Sequence, residues 1–73
     1  MHDLNKLIGL IIEKCGSKRQ FAKKMCLSER SIYLKLKGYT EFKPSEIDNA
    51  CEILGISKEE IPIYFFTKKV QNN

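Results

Sequence analysis

Ser17–Gly38, SKRQFAKKMCLSERSIYLKLKG, is the stretch on which the reading of this chain turns. Ser17 and Ser28 each stand where a side-chain oxygen can close the first turn of a helix. Behind each serine, apolar residues recur at helical spacing: Phe21, Ala22 and Met25 after the first, Ile32 and Leu36 after the second. The pattern predicts a helix over about Lys18–Met25, a turn at Cys26 and Leu27, and a helix over about Glu29–Lys37 that Gly38 closes. This is a hairpin of two short helices.

Charge is concentrated on the same stretch. Between Lys14 and Lys37 lie Lys14, Lys18, Arg19, Lys23, Lys24, Arg30, Lys35 and Lys37, with Glu29 as the sole acid. From Glu41 to Ile61 the balance reverses: Glu41, Glu46, Asp48, Glu52, Glu59 and Glu60 face only Lys43 and Lys58. The whole chain has 13 bases against 9 acids, a modest surplus, so the distribution carries the information. One half attracts polyanions and the other repels them, which orients binding.

Working outward, the first helix is predicted over about Leu4–Cys15. Asp3 is its N-cap, Leu4, Leu7, Ile8, Ile11 and Ile12 are its apolar stripe, and Gly16 ends it. Tyr39–Lys43 reads as a polar loop. A fourth helix begins at Pro44, with Glu46 in its first turn, and buries Ile47, Ala50, Cys51 and Leu54 before Gly55. Ser57 caps a last helical turn through Ile61, limited by Pro62. Ile63–Phe66 is an apolar run with strand-like propensity. Residues 1–66 then form one domain, with the hairpin at 17–38, and residues 67–73 form a polar tail.

Seventy-three residues hold one small core and leave little space for a catalytic pocket. The single histidine, His2, lies at the start of the chain, and the acids are scattered, so no catalytic constellation can be assembled and no enzyme is expected. Cys15, Cys26 and Cys51 are odd in number and widely spaced, which argues against a metal site and for small buried hydrophobes in a reducing compartment. Neither a cofactor nor a small-molecule ligand is expected. The N-terminus lacks a signal-peptide pattern and the apolar runs are too short to cross a bilayer, so an intracellular, non-membrane protein is expected.

Helical geometry separates the two faces of the third helix. With Ile32 at zero and about 100° per residue, Leu36 falls near +40° and shares the core side. Arg30, Leu34 and Lys37 fall at roughly 160°, 200° and 140°, with Tyr33 near 100°. That outward set suits a DNA major groove: arginine bridges guanine O6 and N7, leucine packs on a thymine methyl, and lysine reaches phosphate. Glu29 either accepts from cytosine N4 or serves the helix dipole. Leu34 either meets DNA or packs on the C-terminal run or a second subunit. The free N–H groups opening the second helix, with Ser17, Lys18 and Arg19, form an anion site. Lys37 and Lys43 can hold the backbone on the other flank, whereas Lys23 and Lys24 read as a solvated face.

On these residues the hairpin resembles the helix-turn-helix of phage Cro and repressor proteins. Ala22, Ile32, Gly38 and the Ser28 cap fit that pattern. FAKKMCLSERSIYLKLKG together with EEIPIYFF extends the likeness to a family of small Cro-like phage proteins. The resemblance implies an all-α, five-helix lambda-repressor-like fold with a short C-terminal apolar extension. It places Ser28, Glu29, Arg30, Tyr33 and Leu34 at base-reading positions. Two residues depart from the pattern: Lys18 replaces a glutamine that contacts phosphate and braces the third helix, and Cys26 replaces the turn glycine. The implied function is a sequence-specific repressor in the bacterial host cytoplasm, binding double-stranded operator DNA as a homodimer, at least when on DNA. Tyr64, Phe65 and Phe66 are then either dimer contact or core. The competing expectation is a protein-interaction module of the same fold, antirepressor-like or antitoxin-like.

Overall fold

The computed structural model describes residues 4–66, and these form five α-helices and one 3-10 turn with no strand among them. The helices are α1 (Asn5–Cys15), α2 (Lys18–Met25), α3 (Glu29–Leu36), α4 (Pro44–Leu54) and α5 (Ile61–Phe65), the last preceded by the turn Lys58–Glu60. The all-helical expectation holds. The predicted cap Asp3 and the tail 67–73 lie outside the described residues.

One core joins the helices. Leu7 and Ile11 of α1, Phe21, Ala22 and Met25 of α2, Ile32 and Leu36 of α3, and Ala50 and Leu54 of α4 are buried together with Leu4, Ile56 and Phe65. α1 packs on α2, α4 and α5, and α2 packs on α3 and α4. The hairpin therefore rests on a platform that α1 and α4 supply. Ile12, counted with the apolar stripe of α1, is instead 46% exposed. It falls at the edge of a stripe whose centre, Leu7 and Ile11, fills the interface.

The C-terminal run departs from its strand-like reading. Ile63–Phe65 is helical, and Phe66 N–H donates to the Pro62 carbonyl at 3.1 Å. Pro62 opens this helix rather than stopping the turn before it, because a proline in the first turn gives up no N–H that the helix needs. β propensity is realised only against a partner strand, and none is present among the described residues. Ahead of it, Ser57 donates both its N–H and its hydroxyl to Glu60 Oε1 at 3.0 Å, bonds that hold the Glu60 carboxyl below its ordinary range.

Two turns adopt the same left-handed backbone with different residues. Gly55 (φ 71°) ends α4 and Cys26 (φ 59°) ends α2. At Cys26 the next amide, Leu27 N–H, reaches back to the Ala22 carbonyl at 3.0 Å, closing the helix end and setting the angle into α3. Cys26 is exposed, so its side chain packs on little that would repay the strain. Cys26→Gly is expected to raise stability by about 0.5–1 kcal/mol, read as a higher urea midpoint at unchanged slope. The expectation of three buried cysteines is corrected in the same way: Cys15 and Cys51 are half-buried, and Cys26 is not buried at all.

Candidate nucleic-acid interface

Both serine caps form as the spacing predicts. Ser17 Oγ accepts from Gln20 N–H at 3.1 Å and Ser28 Oγ accepts from Ser31 N–H at 3.0 Å. Each bond satisfies one otherwise orphaned donor and leaves the earlier N–H groups of its helix facing outward. α2 and α3 are thus two short, capped helices, and the first residues of each open on a shared depression.

Around that opening, Lys18, Arg19, Glu29, Ile32 and Tyr33 line a shallow depression of about 220 Å³. Arg19 Nε lies 3.9 Å from Glu29 Oε1, and both side chains are 69% exposed. This cross-helix pair was not foreseen. It gives Glu29 a partner on the neighbouring helix beside its place in the first turn of α3.

Arg30 is exposed and makes no ion pair among the described residues. Tyr33 is half-exposed, with Lys37 Nζ 5.8 Å from the centre of its ring. Lys18, Lys23, Lys24, Lys37 and Lys43 are exposed as well. Leu34 is less open than its helical angle implies: it is half-buried, and the Tyr39 and Thr40 N–H groups return to its carbonyl at 2.9 and 3.4 Å.

Lys35 is the largest departure from the charge reading. Counted with the hairpin's cations, it is buried. Its Nζ lies 2.9 Å from Glu46 Oε1, donates to the Glu41 carbonyl at 3.2 Å, and sits 5.8 Å from the centre of the Phe42 ring. Glu46 also accepts from Lys43 N–H at 2.8 Å, capping α4. Burial pushes the Glu46 carboxyl up, but the Lys43 N–H and the Lys35 ammonium outweigh it and hold the group below its ordinary value. One carboxylate therefore ties the last turn of α3 to the first turn of α4. The signal was present in the sequence: at about −60° from Ile32, Lys35 falls on the core side of α3.

The other expectations sort as follows. Phe65 is core, 4% exposed and packed edge-to-face on Phe42 with ring centres 5.4 Å apart. Tyr64 is half-buried and Phe66 half-exposed. Among the described residues no group of His, Cys, Asp or Glu is placed to hold a metal ion, and no helix is long and apolar enough to cross a membrane. Burial, and then the Asp48 carboxylate, pushes the Cys51 thiol up.

Comparison with known proteins places this arrangement in context. A family model described as a protein of unknown function, DUF739, matches residues 1–68. No curated protein matches. Among solved structures, the chain is similar to the modulator of repression (MOR) of the temperate bacteriophage TP901-1 from Lactococcus lactis, determined in solution. Identity is 43%, the match covers 96% of this chain and 95% of that one, and the TM-score is 0.81.

Proposed function

The chain belongs to the DUF739 family, and from that premise we propose that it is a phage regulator that modulates repression through the α2–α3 hairpin. In this reading the hairpin is a helix-turn-helix of the lambda-repressor-like kind, residues 1–66 form its domain, and α3 is the recognition helix. Support for the regulatory role comes from the 43% identical phage protein, a modulator of repression.

Arg30 is the observation that carries the mechanism. An unpaired guanidinium stands on the outward face of a helix capped by Ser28 and anchored at its far end through Lys35. A rigid helix holding a free planar donor is what bidentate guanine recognition requires. Operator DNA is the partner this geometry favours, with Ser28, Glu29, Arg30, Tyr33 and Leu34 toward base edges. Ser17, Lys18, Arg19, Lys37 and Lys43 then hold phosphates on either side. A helix of 8 residues reads few base pairs, so two copies on a two-fold site are expected, with exposed Ile63 and Phe66 as apolar surface for pairing.

A second reading is that the same face docks on a repressor protein. Half-exposed Tyr33 beside half-buried Leu34 favours it, because tyrosine with an aliphatic neighbour is characteristic of protein interfaces. So does the name of the similar phage protein, a modulator of repression.

Selection of bound duplexes from a random pool separates the two. A two-fold-symmetric consensus supports the operator reading. Arg30→Ala should then lose about 1–3 kcal/mol on that site and relax preference at one position. An equal loss on every sequence would make Arg30 a phosphate contact. An unenriched pool, together with salt-insensitive binding to a phage repressor, would replace the operator reading with the second.

A further inference from the structure

Glu29 stands in an awkward place for a protein that meets a polyanion. It is the lone acid between Lys14 and Lys37, and it sits at the first position of α3. Lys18 and Arg19, at the start of α2, line the same depression, and Arg30 follows it in the chain. Without the carboxylate, this corner would attract any phosphate backbone. The pair it makes with Arg19 is long, at 3.9 Å, and both partners are 69% exposed. Pairs of that kind add almost nothing to folding, so the ion pair itself is no reason for an acid at this position, beyond the small gain its charge brings to the first turn of α3.

We propose that Glu29 is a selectivity residue: its carboxylate engages Arg19 and repels bulk phosphate, reserving the α3 face for a partner that presents a hydrogen-bond donor there. The proposal rests on the reading of α3 as the working face. Its physical basis is a like-charge penalty on any partner that brings only anionic oxygens to the corner. A duplex that brings a cytosine amino group to that spot takes the carboxylate as acceptor and releases Arg19. Neutralising Glu29 removes the penalty and frees one cation at once.

The test uses the full chain and a duplex of random sequence. Binding constants are measured against salt for the wild type, Glu29→Gln, Arg19→Ala and the double variant. Glu29→Gln should bind the random duplex about fivefold more tightly at low salt, the scale of one unit-charge interaction across a few ångströms of water. Its log–log salt slope should steepen by about 0.9, one additional phosphate. Adding Arg19→Ala should remove that steepening. Thermal melts matching the wild type show that the fold is unaltered. Affinity and slope unchanged in Glu29→Gln, or random-duplex binding undetectable in both proteins at low salt, overturn the proposal. The two readings separate cleanly. An operator consensus with no change in generic binding defeats the role of Glu29 alone. Tighter generic binding by Glu29→Gln without any consensus defeats the operator reading alone.

Discussion

Phe65→Ala should lower stability by about 3–5 kcal/mol, the cost of emptying a buried phenylalanine site. Phe65 is 4% exposed and edge-on to Phe42, at the point where α5 closes over α1 and the loop before α4. Removing the ring leaves a void that the short helix α5 cannot collapse to fill, and it deprives Phe42 of its partner. For a domain of this size the total stability is on the order of 4–11 kcal/mol, so the loss takes a large share of it. The melting temperature should fall by about 20 °C. A folded variant with a near-normal melting point and an altered oligomeric state would instead return Phe65 to an interface role.

Glu46→Ala should cost about 3 kcal/mol, because it leaves the Lys35 ammonium buried without its anion and removes the cap of α4. Glu46→Gln keeps an acceptor for Lys43 N–H and should lose less. Replacing both partners, Lys35→Met with Glu46→Leu, should recover part of the loss, since the ion pair offsets a desolvation cost that the apolar pair never incurs. The pair also makes a pH signature. The folded-state pKa of Glu46 lies below its ordinary value of 4.5. Its stabilisation is therefore complete above that value and fades as pH falls through the folded-state pKa. Denaturation midpoints between pH 3 and pH 7 should drop more steeply toward acid for the wild type than for Glu46→Gln. Equal slopes would show that Lys35 does not stabilise the charged form.

Which groups lie on the outward face of the hairpin was legible only in part from the sequence. Serine caps, glycine stops and the spacing of Phe21, Ala22, Met25, Ile32 and Leu36 are local signals, set by backbone geometry within one or two turns. They place α2 exactly, and α3 to within one residue. The outward position of Arg30 and Tyr33 follows from the same geometry. The cysteine at the turn does adopt the positive φ that the usual glycine implies.

Leu34 and Phe66 were beyond that reach, and for Lys35 the helical angle gave the inward direction but not the partners. A helical angle says which way a side chain leaves its own helix, but not what another element brings to meet it. Lys35 is buried because Glu46, eleven residues on, and the Glu41 carbonyl converge on it once α4 packs. The Ile61–Phe65 run shows the same division. Its composition favours a strand, but no strand lies beside it among the described residues and Pro62 opens its first turn, so the run is helical.

The sequence by itself therefore determined the four helices before Gly55, the limits of the hairpin and the sign of charge on each half, since each depends on neighbours within a few residues. Only the tertiary structure decided which charges remain on the surface. It withdrew Lys35 into a buried pair, set Arg19 against Glu29 and left Arg30 free. Those outcomes depend on distances between helices, and such distances exist only after the core formed by Phe21, Ile32 and Leu54 has closed.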